Sequence, residues 1–231
     1  MKQTKQSTEV RGTLNMGSRP SYVPKETYDI PVDVVPAIKI IQSLSPERMP
    51  DDSNYISGAL EGMMFNAETR ELYDGKKGVI VVPLQVRKSY VEWIPRQSGG
   101  GFVAAYPTRE EMEAKYTAGN QVQVSIEFLI VLPDMKIAVV RFDSPSKLGV
   151  ARKWGAAIKN AETLFGARYV LRTVLKRNRQ NQTYFNFDIQ FSGWVQSTKE
   201  FDQYKALMES NALPILITNQ IESDDILKGP F

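Results

Sequence analysis

The chain has 231 residues, 42% of them apolar and 24% charged, with a net charge of +3 and neither histidine nor cysteine. That is enough apolar content for one large domain with a sizeable core, and it excludes wholesale disorder. The two missing residue types exclude disulfides, thiolate or imidazole metal sites and Ser-His or Cys-His nucleophiles, which turns the expectation towards a binding protein and away from an enzyme.

One enzymatic option is left, a carboxylate set with magnesium. Asp74, Glu92, Asp143 and Asp188 are its candidates, and their spacing forms no recognised ligand set. No apolar run is long enough to predict a transmembrane helix, and the polar start Met1–Glu9 predicts no secretory signal. The absence of cysteine fits a reducing cytoplasm.

Residues 1–31 are polar and punctuated by Gly12, Gly17, Pro20, Pro24 and Pro31, which predicts a flexible, mildly basic arm. Val34–Ile41 is β-branched, and Pro36 within it predicts an edge strand or an extended packing segment. Asn66–Arg70 and Asp74-Gly75 carry turn chemistry. Gly78–Trp93 is the longest strand candidate, expected to bend at a bulge near Pro83, with Lys88 and Tyr90 on one face and Arg87 and Trp93 on the other. Ile94–Gly101 follows as a loop with three consecutive glycines and Arg96, and it lacks the Gly-Lys-Ser/Thr ending of a phosphate loop.

Phe102–Tyr106 is a short strand candidate, and Arg109–Tyr116 a short helix opened by Pro107-Thr108. Gln121–Leu132 alternates and then turns apolar, which predicts a strand returning through Pro133-Asp134 into Lys136–Phe142. A helix is expected from about Ser146 to Phe165, with Leu148, Ala151, Trp154, Ala157, Ile158, Ala161, Leu164 and Phe165 on its buried face and Gly166 at its end. Trp154 on that stripe reads as core more readily than as a stacking platform. Next come a strand over about Arg168–Leu175, a polar turn over Lys176–Thr183, and a strand over Tyr184–Trp194. In that last strand Phe185, Phe187, Ile189 and Phe191 are expected to face the core. Ser197–Met208 is a final helix, Pro214–Ile217 a short strand or contact segment, and residues 218–231 a flexible acidic tail.

Between Arg141 and Gln180 ten Lys/Arg face two acids, a charge of +8, which leaves the rest of the chain at −5. Aromatic residues are interleaved with these cations. Such a surface suits single-stranded nucleic acid, whose phosphates meet cations and whose unstacked bases meet rings. The candidate phosphate contacts are Arg87, Lys88, Arg96, Lys147, Arg152, Lys153, Arg172, Lys176, Arg177 and Arg179. The candidate stacking rings are Tyr90, Trp93, Tyr169 and Tyr184.

From Gly78 to Trp194 the order is three strands, a helix and two strands. That order predicts a mainly β, α+β fold: a five-stranded OB-type barrel with a helix between its third and fourth strands. A single domain over residues 32–217 would carry it, with N-terminal additions and a C-terminal helix and tail. With the basic and aromatic face and the ending Glu222-Ser-Asp-Asp-Ile-Leu-Lys-Gly-Pro-Phe231, the chain resembles the single-stranded DNA-binding proteins that tailed bacteriophages encode for replication and recombination. Tyr90–Ala104 is also similar to a stretch found in phage proteins without assigned chemistry.

The resemblance implies a cofactor-free protein that coats and protects single-stranded DNA with little sequence preference, in the cytoplasm of the infected bacterial host. It also implies that Asp224, Asp225 and Phe231 dock onto replication proteins such as polymerase and helicase-primase, and it leaves open a homo-oligomer and a strand-annealing role. The alternative expectation is a phage structural or assembly protein whose aromatic surface forms a subunit interface.

Overall fold

The computed structural model describes residues 35–159, 161 and 163–210. The expected arm, the Pro214–Ile217 segment and the tail lie outside the described residues. Among the described residues, nine strands form one sheet: β1 Ala37–Ile40, β2 Met64–Asn66, β3 Leu72–Tyr73, β4 Val79–Ile94, β5 Gly101–Tyr106, β6 Gln121–Val131, β7 Ile137–Phe142, β8 Ala167–Arg177 and β9 Thr183–Trp194. Three α-helices accompany it: α1 Arg109–Lys115, α2 Pro145–Lys159 and α3 Thr198–Ser210. The sheet curls strongly into a half-barrel, and the fold is mainly β with helices.

Strand order across the sheet is β3-β2-β1-β7-β6-β4-β8-β9, with β5 paired to the far end of β4. β4 is the common member. It pairs antiparallel with β8 over Val79–Val81, with β6 from Val82 to Trp93, and with β5 over Tyr90–Ile94. Its register against β6 shifts between Pro83 and Gln85, the bend expected at Pro83. Proline has no N–H to give to a ladder, so an irregularity is the cheapest place for it.

Two sequence expectations need correction. β1 is internal, paired antiparallel with β2 and parallel with β7. Pro36 stands just before the strand, where its missing N–H is not needed, and its carbonyl accepts Val139 N at 2.8 Å. The helix expected to reach Phe165 ends at Lys159, and Leu164–Gly166 is a separate 3-10 turn entered through Thr163 in an extended conformation.

The core lies inside the curl and is plugged by α2. Trp154 is fully buried and stacks on Phe128 at 4.2 Å, with Phe142 and Tyr169 edge-on around it. α3 covers the opposite face of β4, β6 and β7: Tyr204 is buried with Val82, Leu84, Leu129, Val131 and Val139. Arg168 latches this helix by donating to both carboxylate oxygens of Glu200 at 2.7 Å.

β1 and β9 approach across the open side of the curl. The Gln42 side chain there completes the backbone pairing of β9: its amide donates to Phe185 O at 2.8 Å, and its carbonyl accepts Phe185 N at 2.9 Å. At the other end of β4, Glu92 is fully buried and anchors the insertion that carries α1. It accepts from the Tyr106 hydroxyl at 2.5 Å, Thr117 N at 2.8 Å and Asn120 Nδ2 at 2.6 Å.

Burial opposes the charge on Glu92, yet those hydrogen bonds outweigh it and hold the carboxyl below its ordinary 4.5. The bond to Glu92, with burial, pushes the Tyr106 phenol up from 10.0 to about 12. The depressed acid stabilises the fold above pH 4.5, and that contribution is lost as pH falls below this value. The raised phenol contributes below pH 10, and its contribution is lost as pH rises towards 12. Tyr106→Phe is expected to cost about 1.5–3 kcal/mol at neutral pH, read by urea unfolding, because it removes a hydrogen bond to a buried charge. In Glu92→Gln the acid limb of the stability–pH curve should flatten relative to the natural chain.

Candidate nucleic-acid interface

β8 alternates as its sequence dictates. Ala167, Tyr169, Leu171 and Thr173 point into the core, and Arg168, Arg172 and Lys176 point out. Tyr169 is therefore fully buried among the core rings, and its expected role as an exposed stacking ring is corrected.

Three of the other expected cations, Arg87, Lys153 and Arg172, stand beside acids supplied by other strands. Arg172 donates to Asp188 at 2.9 and 3.0 Å, and Lys153 reaches the same carboxylate from α2 at 2.8 Å. Burial opposes the Asp188 charge, but these two cations hold its carboxyl below the ordinary range. Arg87 and Arg141 flank Glu127, which is fully buried: Arg141 Nε lies 2.8 Å from one carboxylate oxygen, and Arg87 holds the other through Nε at 3.1 Å and through Nη2. Lys147 pairs with Asp143 at 2.8 Å. Lys88 donates to the Tyr90 hydroxyl at 2.7 Å.

Among the expected rings, Trp93 is half-buried and packs edge-on against Phe102 at 5.9 Å. Tyr90 and Tyr184 are half-buried. Arg96 is exposed on the turn that follows β4, and Arg152 is exposed on α2.

The β8–β9 turn presents charge differently. The Asn178 side chain organises it, accepting Gln180 N at 3.0 Å and Gln182 N at 2.9 Å while donating to the Gln180 and Gln182 side-chain carbonyls. Asn181 adopts a left-handed conformation, φ 63°, and accepts from Arg177 at 3.1 Å. Lys176, Arg177 and Arg179 are exposed on this stiffened turn, and among the described residues no acid pairs with them.

A second pair of cations joins them. The β3–β4 turn is drawn against β8 by Thr173 N donating to Gly75 O at 2.8 Å, so Lys76 and Lys77 stand at the same end of the half-barrel. Gly75 fits there because it lacks a side chain: a Cβ would fall 1.8 Å from Gly62 O. Asp74 shapes that turn by accepting Lys76 N at 2.9 Å and Lys77 N at 3.0 Å. Sequence reasoning missed Lys76 and Lys77 because about a hundred residues separate them from the basic turn; the available signal was the motif Asp74-Gly75-Lys76-Lys77-Gly78.

It also missed Phe191 and Trp194. Alternation along β9 assigns Phe191 to the core, and it does pair with the buried Tyr169, their rings 6.1 Å apart, but β9 is the last strand of the sheet and leaves the ring half in water. Phe191 is 47% and Trp194 49% exposed, their rings 4.9 Å apart.

The four magnesium candidates lie apart with separate partners, and among the described residues no cluster of three acids suits a metal ion. Asp224, Asp225 and Phe231 lie outside the described residues. No helix among the described residues is long and apolar enough to cross a membrane.

The sequence model of the family described as Pam3 phage gp34-like protein matches residues 25–212, and the chain belongs to that family of phage proteins. No curated protein and no solved structure matches it.

The geometry separates structural cations from presented ones. Arg141→Ala should cost about 1.5–3 kcal/mol of stability in urea unfolding, since it removes a charged hydrogen bond from a buried carboxylate that Arg87 still pairs. Arg179→Ala, on the exposed turn, should stay within about 0.5 kcal/mol of the parent chain.

Proposed function

We propose that this phage protein binds single-stranded DNA without catalysis, coating and protecting it during phage DNA replication and recombination. The five strands β4, β6, β7, β8 and β9 then form an OB-type barrel. Two features support that reading: the meander β4-β6-β7 whose first strand also pairs with β8, and α2 placed between the third and fourth strands. β1 and Gln42 stand where such a barrel would close its third strand on its fifth.

The observation that carries the proposal is the backbone bond from Thr173 N to Gly75 O, which sets the turn of Lys76 and Lys77 against the strand that leads to Lys176, Arg177 and Arg179, with Asp74, 3.8 Å from Lys77, as the one carboxylate in these turns. The β8–β9 turn is the loop between OB strands four and five, which belongs to the oligonucleotide-binding rim. Cations held on backbone-braced turns lose little freedom when they meet phosphate, and each contact releases condensed counterions. Because α3 covers the outer face of β6 and β7, the strand is routed along the β8–β9 side, past Tyr184. Phosphate contacts carry no sequence information, which agrees with binding of little sequence preference. In this reading Asp224, Asp225 and Phe231 of the tail dock replication enzymes, and the protein acts in the cytoplasm of the infected cell.

Titration of a fluorescent single-stranded oligonucleotide at several salt concentrations, with duplex of equal length as competitor, tests the proposal. Tight, salt-sensitive binding that prefers the single strand is expected. The Arg177→Ala/Arg179→Ala double variant should lower the slope of log K against log salt by about 1.4, at about 0.7 per lost contact. An unchanged slope, or equal competition by duplex, would overturn it.

A further inference from the structure

Beside α2, the free edge of β9 carries a shallow open depression lined by Lys153, Ala157, Arg172, Asp188, Gln190 and Phe191. Its Arg172 side borders the β3–β4 turn, where a Cβ on Gly78 would fall 2.9 Å from Arg172 Cβ. Phe191 forms one wall, and Trp194 stands against Phe191 at 4.9 Å. Two aromatic side chains each about half in water at one spot are unusual for residues that gain so much from burial. Trp194 is the most exposed of the three tryptophans, since Trp154 is fully buried and Trp93 is half-buried against Phe102.

The polar groups at this spot are also specific. Asp188 sits between the cations Lys153 and Arg172, so one positive charge is left over at the rim, and Arg152 is exposed on the same helix. Gln190, exposed on β9, offers an amide that can both donate and accept. An apolar ring wall, a donor–acceptor amide and a residual positive charge match the three parts of a nucleotide: a base face, a base edge and a phosphate.

We propose that Phe191 and Trp194, with Gln190 and the Lys153/Arg172 pair, form a stacking subsite for one unstacked base of a bound single strand. This rests on the single-strand reading above and adds to it a base-contacting site on β9 and α2. The rings take the base face, Gln190 meets its edge, and Lys153 and Arg172 hold the neighbouring phosphate. The rim turns and the Lys153/Arg172 pair supply salt-dependent contacts, and the two rings supply a salt-independent one.

The test compares Trp194→Ala, Trp194→Phe and the parent chain on two probes at several salt concentrations: a thymidine oligonucleotide and an abasic sugar-phosphate oligomer of equal length. Thermal melting is measured alongside to confirm that each variant folds. Trp194→Ala is expected to bind the thymidine strand about 5- to 150-fold more weakly with an unchanged salt slope, to bind the abasic strand like the parent chain, and to be largely rescued in Trp194→Phe. Parent-like binding of the thymidine strand by a Trp194→Ala/Phe191→Ala double variant would overturn the subsite and leave the single-strand reading standing. An equal loss on both probes, or loss of a self-associated form instead of DNA affinity, would assign the rings to protein structure or to a subunit contact. If the parent chain binds neither probe, the proposed function itself falls.

Discussion

Everything in this fold depends on one long strand that changes partners along its length. β4 starts against β8, runs its length against β6 and ends against β5, and it makes the change by bending at Pro83. A flat strand of sixteen residues would splay its neighbours; the bend lets the sheet curl around Phe128, Trp154 and Tyr169. The curl brings the β3–β4 turn against β8, and so it decides which cations end up together. It also leaves an opening between β7 and β9, narrowed by β1 and by the two hydrogen bonds of Gln42.

The charge arrangement follows from the same curl. A count along the chain places +8 between Arg141 and Gln180, but in space that charge is heavily offset. Glu127 from β6, Asp188 from β9 and Glu200 from α3 take up Arg141, Arg172, Lys153 and Arg168. What remains presented is a smaller set, concentrated on two turns whose backbones are held by Asn178 and Asp74. The buried Arg87–Glu127–Arg141 group belongs to the architecture: a carboxylate with no exposure needs partners wherever it sits, whatever the protein binds.

Much of this was legible in the sequence, and for physical reasons. Alternation and turn chemistry gave β6, β7, β8 and β9 nearly to the residue. Proline's missing donor located the bend in β4, and the three-and-four spacing of Leu148, Ala151, Trp154 and Ile158 gave α2 and put Trp154 in the core. What was not legible depends on distant contacts. Pro36 argued for an edge strand because nothing local shows that it precedes the ladder. Tyr169 read as a surface ring because a tyrosine at an alternating position fits either face. Lys76 and Lys77 joined the site only through a backbone hydrogen bond from Thr173 to Gly75. Phe191 is half in water, though paired with the buried Tyr169, because β9 is the last strand of the sheet.

The claim most worth testing is that the two turns act as one nucleic-acid rim. Hydrogen exchange of the whole chain, with and without saturating single-stranded DNA and with duplex as the control, reads it directly. The account predicts slowed exchange in both the Asp74–Gly78 and Lys176–Tyr184 turns with single strand, and little change with duplex. Unchanged exchange in both turns under conditions where the strand is bound would contradict it, because the phosphates would then be held elsewhere on the molecule.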